Sequence, residues 1–150
     1  MILPIIKYGS SKLRKKAFDI DKGDLSSGFT RAMALTLKKA NGIGLAGPQV
    51  GILKNIFFTD TSSLNEKGVE MVEKVYFNPS IVHYSENNVS YNEGRLSIPG
   101  VNEDVLRPDK IEVRYRDEYF NWHEVVLEGL TARIYQHEYD HLQGILFIDK

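Results

Sequence analysis

The residues best suited to chemistry in this chain are His137-Glu138-Tyr139-Asp140-His141, an H-E-x-x-H inside a segment of helical periodicity. Residues four apart lie one above the other on a helix, so both imidazoles can reach one metal ion. Glu138 can then stand beside a water at that ion and take its proton. The expected inward stripe runs Leu130, Ile134, His137/Glu138, His141 and Ile145, so polar residues occupy positions that are normally apolar. Burying them without partners would cost several kcal/mol, so the motif taken alone reads as a metal site, a solvated polar turn or two satisfied core histidines.

A single-metal hydrolytic site needs a third protein ligand and one position for water. Downstream of His141 the metzincin continuation is matched through Gly144 but has Phe147 where its last histidine belongs. The third ligand is therefore expected upstream. The chain contains no cysteine, which removes disulfide scaffolds, thiolate nucleophiles and sulfur-built zinc sites.

Two upstream stretches stand out. Asn41-Gly42-Ile43-Gly44-Leu45-Ala46-Gly47-Pro48-Gln49-Val50-Gly51 reads as a small-residue loop. There backbone amides can approach a ligand and Gln49 can supply a neutral donor. It is no P-loop, because no Gly-Lys-Ser/Thr follows. The second, Glu93-Gly94-Arg95-Leu96-Ser97-Ile98-Pro99-Gly100, reads as a turn.

Taken together, GIGLAGPQ, EGRLS and QHEYDH resemble the ordered motifs of the peptide deformylase family: G-φ-G-φ-A-A-P-Q, E-G-C-L-S and Q-H-E-x-D-H. The likeness runs over nearly the whole chain, including Leu3-Pro4-Ile5 and Phe77-Asn78-Pro79. It implies a metal-dependent amide hydrolase that removes the formyl group from the N-terminal formylmethionine of nascent polypeptides. It further implies His137 and His141 as ligands of Fe(II), Zn(II) or Ni(II), and Glu138 as general base and acid. Gln49 and the backbone N–H of Leu96 would form the oxyanion hole. Ile43, Gly44 and Gly94 would align substrate backbone, while Leu130 and Ile134 would wall the methionine pocket. Glu93 and Arg107 match a family pair that ties the ligand loop down.

The chain departs from that pattern at the family's third ligand, the cysteine of E-G-C-L-S, where it carries Arg95. A guanidinium stays protonated and offers a metal no lone pair, so metal binding is expected to be weak or absent. Three arrangements stay open: Arg95 outward, with Glu93 or water completing a weak site; Arg95 inward, paired with Glu138 in a metal-free, inactive relative that binds N-terminal Met peptides; or replacement of this cysteine in an active parent. A second departure is Gly47 for alanine, expected to loosen its loop. A third is the end at Lys150, which argues against ribosome docking through a C-terminal helix.

The elements that position these residues read as one α+β domain over 1–150, with short, mostly antiparallel sheets around the helix carrying H-E-x-x-H. A serine-capped helix is expected from Ser10, a second over Leu25–Ala40 and the last over Gly129 to about Leu142. Strands are expected over Asn55–Asp60, Lys74–Pro79 (ending at, or on a sheet edge near, Pro79), Lys110–Arg116 and Trp122–Leu127, with Val89–Asn92 leading into a turn-rich stretch through Gly100. His83 and His123 read as exposed, and Trp122 with Tyr76, Tyr84, Tyr91, Tyr115 and Tyr119 as sheet packing. Of 150 residues, 42% are hydrophobic, enough for one core, and the net charge is −1, which argues against a phosphate-tracking nucleic-acid binder. No targeting or membrane-spanning run is evident, so a cytoplasmic protein is expected.

Overall fold

A computed structural model of the chain describes residues 3–5, 16–40, 42–62, 73–93 and 104–145. A 3-10 turn, Lys22–Ser27, leads into α1 (Phe29–Lys39), β1 (Gly44–Ala46) and a second 3-10 turn, Gly47–Val50. Then follow β2 (Ile56–Asp60), β3 (Glu73–Tyr84), β4 (Asn88–Asn92), β5 (Asp104–Pro108), β6 (Lys110–Arg116), β7 (Trp122–Glu128) and α2 (Gly129–Leu142). The strands form an antiparallel five-stranded sheet in the order β1-β2-β3-β6-β7 and a separate β4–β5 ribbon. The expected α+β architecture is present.

Successive residues of the first three strands face opposite sides, and both sides are covered. Ala46, Phe57 and Tyr76 face a cluster with Tyr115, Ala132 and Tyr135, which packs α2 onto one face. Their neighbours Leu45, Ile56 and Phe77 face Met33 and Leu37 of α1 on the other. Strands covered on both sides need apolar residues at every position. Under α2 the Phe57, Tyr76 and Tyr135 rings meet at centroid distances of 4.7–5.3 Å, mostly edge to face. Beyond β3 only one face is covered, and β6 alternates cleanly, with Ile111, Val113 and Tyr115 buried.

Several expectations need correction. Gly28 takes φ +81°, which separates the 3-10 turn from α1, so that helix starts at Phe29 and not at Leu25. Strand β3 runs through Pro79 to Tyr84 between two partners, neither ending there nor lying at an edge. A register shift between Phe77 and Ser80 removes the need for a proline N–H, and Asn78 (φ +49°) bonds Ile20 through both side-chain amide atoms. Strand β5 was hidden because one of its inward residues is Arg107. Trp122 and Tyr119 are 40% and 75% exposed, and Trp122 lies between Arg114 and Arg116 rather than in the core. The helix expected from Ser10 lies outside the described residues.

The stretch read as a loop is β1 plus a 3-10 turn, buried throughout from Ile43 to Val50. A Cβ on Gly47 would lie 2.5 Å from the Ile52 carbonyl oxygen, so this glycine tightens the turn rather than loosening it. The helix α2 is buried on nearly all sides from Ala132 to Leu142, while Ile145 is exposed, so the single inward stripe was too narrow a reading.

Candidate active site

Because α2 is enclosed, its polar centre is withdrawn from water: His137, Glu138 and His141 are each at most 2% exposed. The two imidazole centroids stand 5.2 Å apart, as the i, i+4 spacing requires. His137 Nδ1 donates to Glu93 Oε1 at 2.9 Å, and its Nε2 lies 3.9 Å from Glu138 Oε2. Burial, then the neighbouring His137 and Arg107 charges, pushes the His141 pKa down to about 3, so its ring is neutral near pH 7. Burial, reinforced by the negative Glu93, raises the Glu138 pKa well above the ordinary carboxyl range. Among the described residues His141 Nδ1 and Glu138 Oε1 are buried without a hydrogen-bond partner.

β1 supplies the opposite wall. A Cβ on Gly44 would lie 2.2 Å from Glu138 Oε2 and 2.5 Å from its Cδ, so the bare glycine backbone makes room for this carboxyl. Gly44→Ala should therefore displace Glu138 and cut any turnover at least about tenfold, while thermal unfolding stays cooperative. Steady-state kinetics alongside calorimetry checks this; unchanged turnover would mean that Glu138 acts from elsewhere. Gln49 Oε1 accepts the Ala46 N–H at 2.9 Å, which orients the side-chain amide with its NH2 as the other branch. Ile43 and Ile134 form a small apolar cluster with Leu130 and Tyr91. The structure thus gathers Ile43, Leu130 and Ile134, and adds Tyr91, which the sequence reading had assigned to sheet packing.

Glu93 closes the back of the site. Its carboxylate, wholly buried, accepts from Arg107 Nε (2.5 Å) and Nη2 (2.9 Å), Arg133 Nη1 (2.7 Å) and His137 Nδ1. Each oxygen takes two donors, the full capacity of a carboxylate. Arg107 Nη1 continues to Asp140 Oδ2 at 2.8 Å. Arg133 and Asp140 were missed by the sequence reading. Their signal was spacing: Arg133 precedes His137 by one helical turn and Asp140 follows it by nearly one, which places charges inside an enclosed helix.

Burial alone would raise the Glu93 pKa, but hydrogen bonds from His137 and Arg107, with their charges, hold it at about 2. A depressed carboxyl pKa stabilises the fold above the unfolded value of 4.5, and that share is lost as pH falls toward 2. About 3 kcal/mol should disappear over this window, read by urea unfolding of metal-free protein at successive pH values. A flat profile there would show that the clamp does not hold Glu93.

His137 and His141 fit a divalent ion: both bring imidazole nitrogens to one face of α2, and His141 Nδ1 is buried without a hydrogen-bond partner. The fit stops at two donors. Among the described residues no group of three or more His, Cys, Asp or Glu could hold a metal, and Glu93 is fully engaged, which removes it as substitute third ligand. Gly94, Arg95 and Leu96 lie outside the described residues.

Residues 2–150 match the family described as polypeptide deformylase. The chain is 43% identical over 150 residues to the peptide deformylase of Cytophaga hutchinsonii, covering 99% of this chain and 82% of that one. It superposes with TM-score 0.85 on a peptide deformylase from Synechococcus elongatus in complex with actinonin, at 40% identity, covering 98% and 77% of the two chains. A Met-Ala-Ser-bound class I type b peptide deformylase from Acinetobacter baumannii superposes with TM-score 0.87 at 34% identity, covering 99% and 98%.

Proposed function

The chain belongs to the polypeptide deformylase family, and from that premise we propose that it is an amide hydrolase releasing formate from N-terminal formylmethionyl peptides. The observation that carries this reading is the enclosed trio His137, Glu138 and His141, with Glu138 packed on bare Gly44 and His137 held by Glu93. The Met-Ala-Ser peptide bound by the Acinetobacter baumannii relative supports the substrate class.

In this reading the methionine side chain enters the apolar cluster of Ile43, Tyr91, Leu130 and Ile134. Ile43, Gly44 and Gly94 align the peptide backbone, and the Gln49 amide with the Leu96 N–H receives charge developing on the formyl oxygen. Glu138 takes a proton from the attacking water at Oε1 or Oε2 and returns it to the departing amine. Its raised pKa, caused by burial and the negative Glu93, favours holding the proton between the two halves of that transfer. His137 and His141 would hold Fe(II), Zn(II) or Ni(II), which would supply Lewis acidity beside the formyl group.

Arg95 favours a second reading, a metal-free relative that binds N-terminal Met peptides without turnover. Loading the full chain anaerobically with each metal and following formate release from formyl-Met-Ala-Ser separates the two. Metal-dependent release supports the hydrolase. Peptide binding by calorimetry, with no formate at any metal, selects the second reading. No helix among the described residues is long and apolar enough to cross a membrane. We place the protein in the cytoplasm, where nascent chains are met, with no direct nucleic-acid partner.

A further inference from the structure

Among the described residues the β4–β5 ribbon shares no ladder with the main sheet. It extends from the β3–β6 junction, where Ser85 N bonds Lys110 O at 2.8 Å and Asp109 N bonds Asn87 O at 2.9 Å. Such a two-stranded ribbon is marginal by itself and needs packing or polar anchors to keep its place. Gln136 Nε2, donating to Pro108 O at 2.9 Å, anchors only its root.

Farther along, one α2 side chain reaches both strands. Arg133 Nη1 donates to Val105 O of β5 at 2.8 Å and to Glu93 Oε2 at 2.7 Å, while Nη2 donates to Val89 O of β4. The guanidinium is buried, and its Cζ lies 5.6 Å from the Tyr91 ring centroid. Its planar fork suits three acceptors, one on each ribbon strand and the third on Glu93, a task an apolar side chain cannot perform.

We infer that Arg133 is a positioning residue: it holds the β4–β5 ribbon, and Glu93 just beyond β4, against α2, so that Glu93 keeps the His137 ring in its observed orientation. Arg107 makes a second tie, from β5 to Asp140 Oδ2 of α2 at 2.8 Å, whereas Arg133, from α2, bonds carbonyls of both ribbon strands. This deepens the proposed reading of the site and rests on it only for the purpose of holding His137.

The test uses the full, metal-free chain as Arg133→Leu and Arg133→Lys, with amide hydrogen exchange and the His137 Nδ1–H proton resonance as readouts. In Arg133→Leu, amides of Asn88–Asn92 and Asp104–Arg107 should exchange about tenfold faster or more, while β6–β7 amides hold their rates. The His137 Nδ1–H signal should broaden or vanish. Arg133→Lys keeps a cation beside Glu93 and should recover that signal in part, with β4 amides still fast. Should Arg133→Leu fail to fold, the lysine variant decides by the same comparison of ribbon and sheet. Unchanged ribbon exchange, or an equal rise in every strand, overturns the inference. Neither readout uses deformylation, so a chain without that activity still passes or fails this test.

Discussion

Arg95→Cys is expected to tighten divalent-metal binding about a hundredfold or more and to raise formate release in parallel. The change restores a lone pair and an anionic ligand while removing a fixed cation, effects that together amount to about 3 kcal/mol or more at short range. Glu93 cannot take that place in advance, since both its oxygens already accept two donors each. Chelator competition for zinc and cobalt gives the affinity, and formyl-Met-Ala-Ser turnover gives the rate. If neither moves while His137→Ala still weakens metal binding, position 95 lies away from the metal.

Glu138→Gln should lower turnover about 10²- to 10⁴-fold, the usual share of a positioned acid–base group. It should do so without unfolding the chain. Glu138 Oε1 has no partner to lose, and the amide nearly matches the carboxyl in shape. A carboxyl whose folded pKa is raised stabilises the fold below its unfolded pKa, and that contribution is lost as pH climbs through the folded value. Metal-free Glu138→Gln should accordingly unfold at higher urea than the parent at pH 8, with the gap closing toward pH 4. Retained turnover, or lower stability at pH 8, would mean that the carboxylate is an ordinary structural partner.

Much of the fold was legible because local periodicity and tertiary burial agree. Strand β6 alternates, and one of its faces is covered; α2 spans the residues that its pattern marks. Agreement broke where local preference and tertiary demand diverge. Pro79 ends a strand in isolation, yet a bulge lets β3 continue past it. Glycines read as a loop at Gly44 and Gly47, yet both are buried where another backbone or side chain comes too close for a Cβ.

What the sequence determined by itself was the chemistry on offer: two imidazoles and a carboxyl on one helix, no thiol anywhere, and an arginine within Glu93-Gly94-Arg95-Leu96-Ser97. These depend on residue identity and short spacing, which the chain carries without folding. Only the tertiary structure decided how that chemistry is held. Glu93 meets His137 across 44 positions and Arg133 across 40, and the Glu138 carboxyl finds its space against Gly44. Contacts between distant segments come from how strands and helix stack, and enclosure is what turns these ordinary side chains into a dry, electrostatically coupled centre.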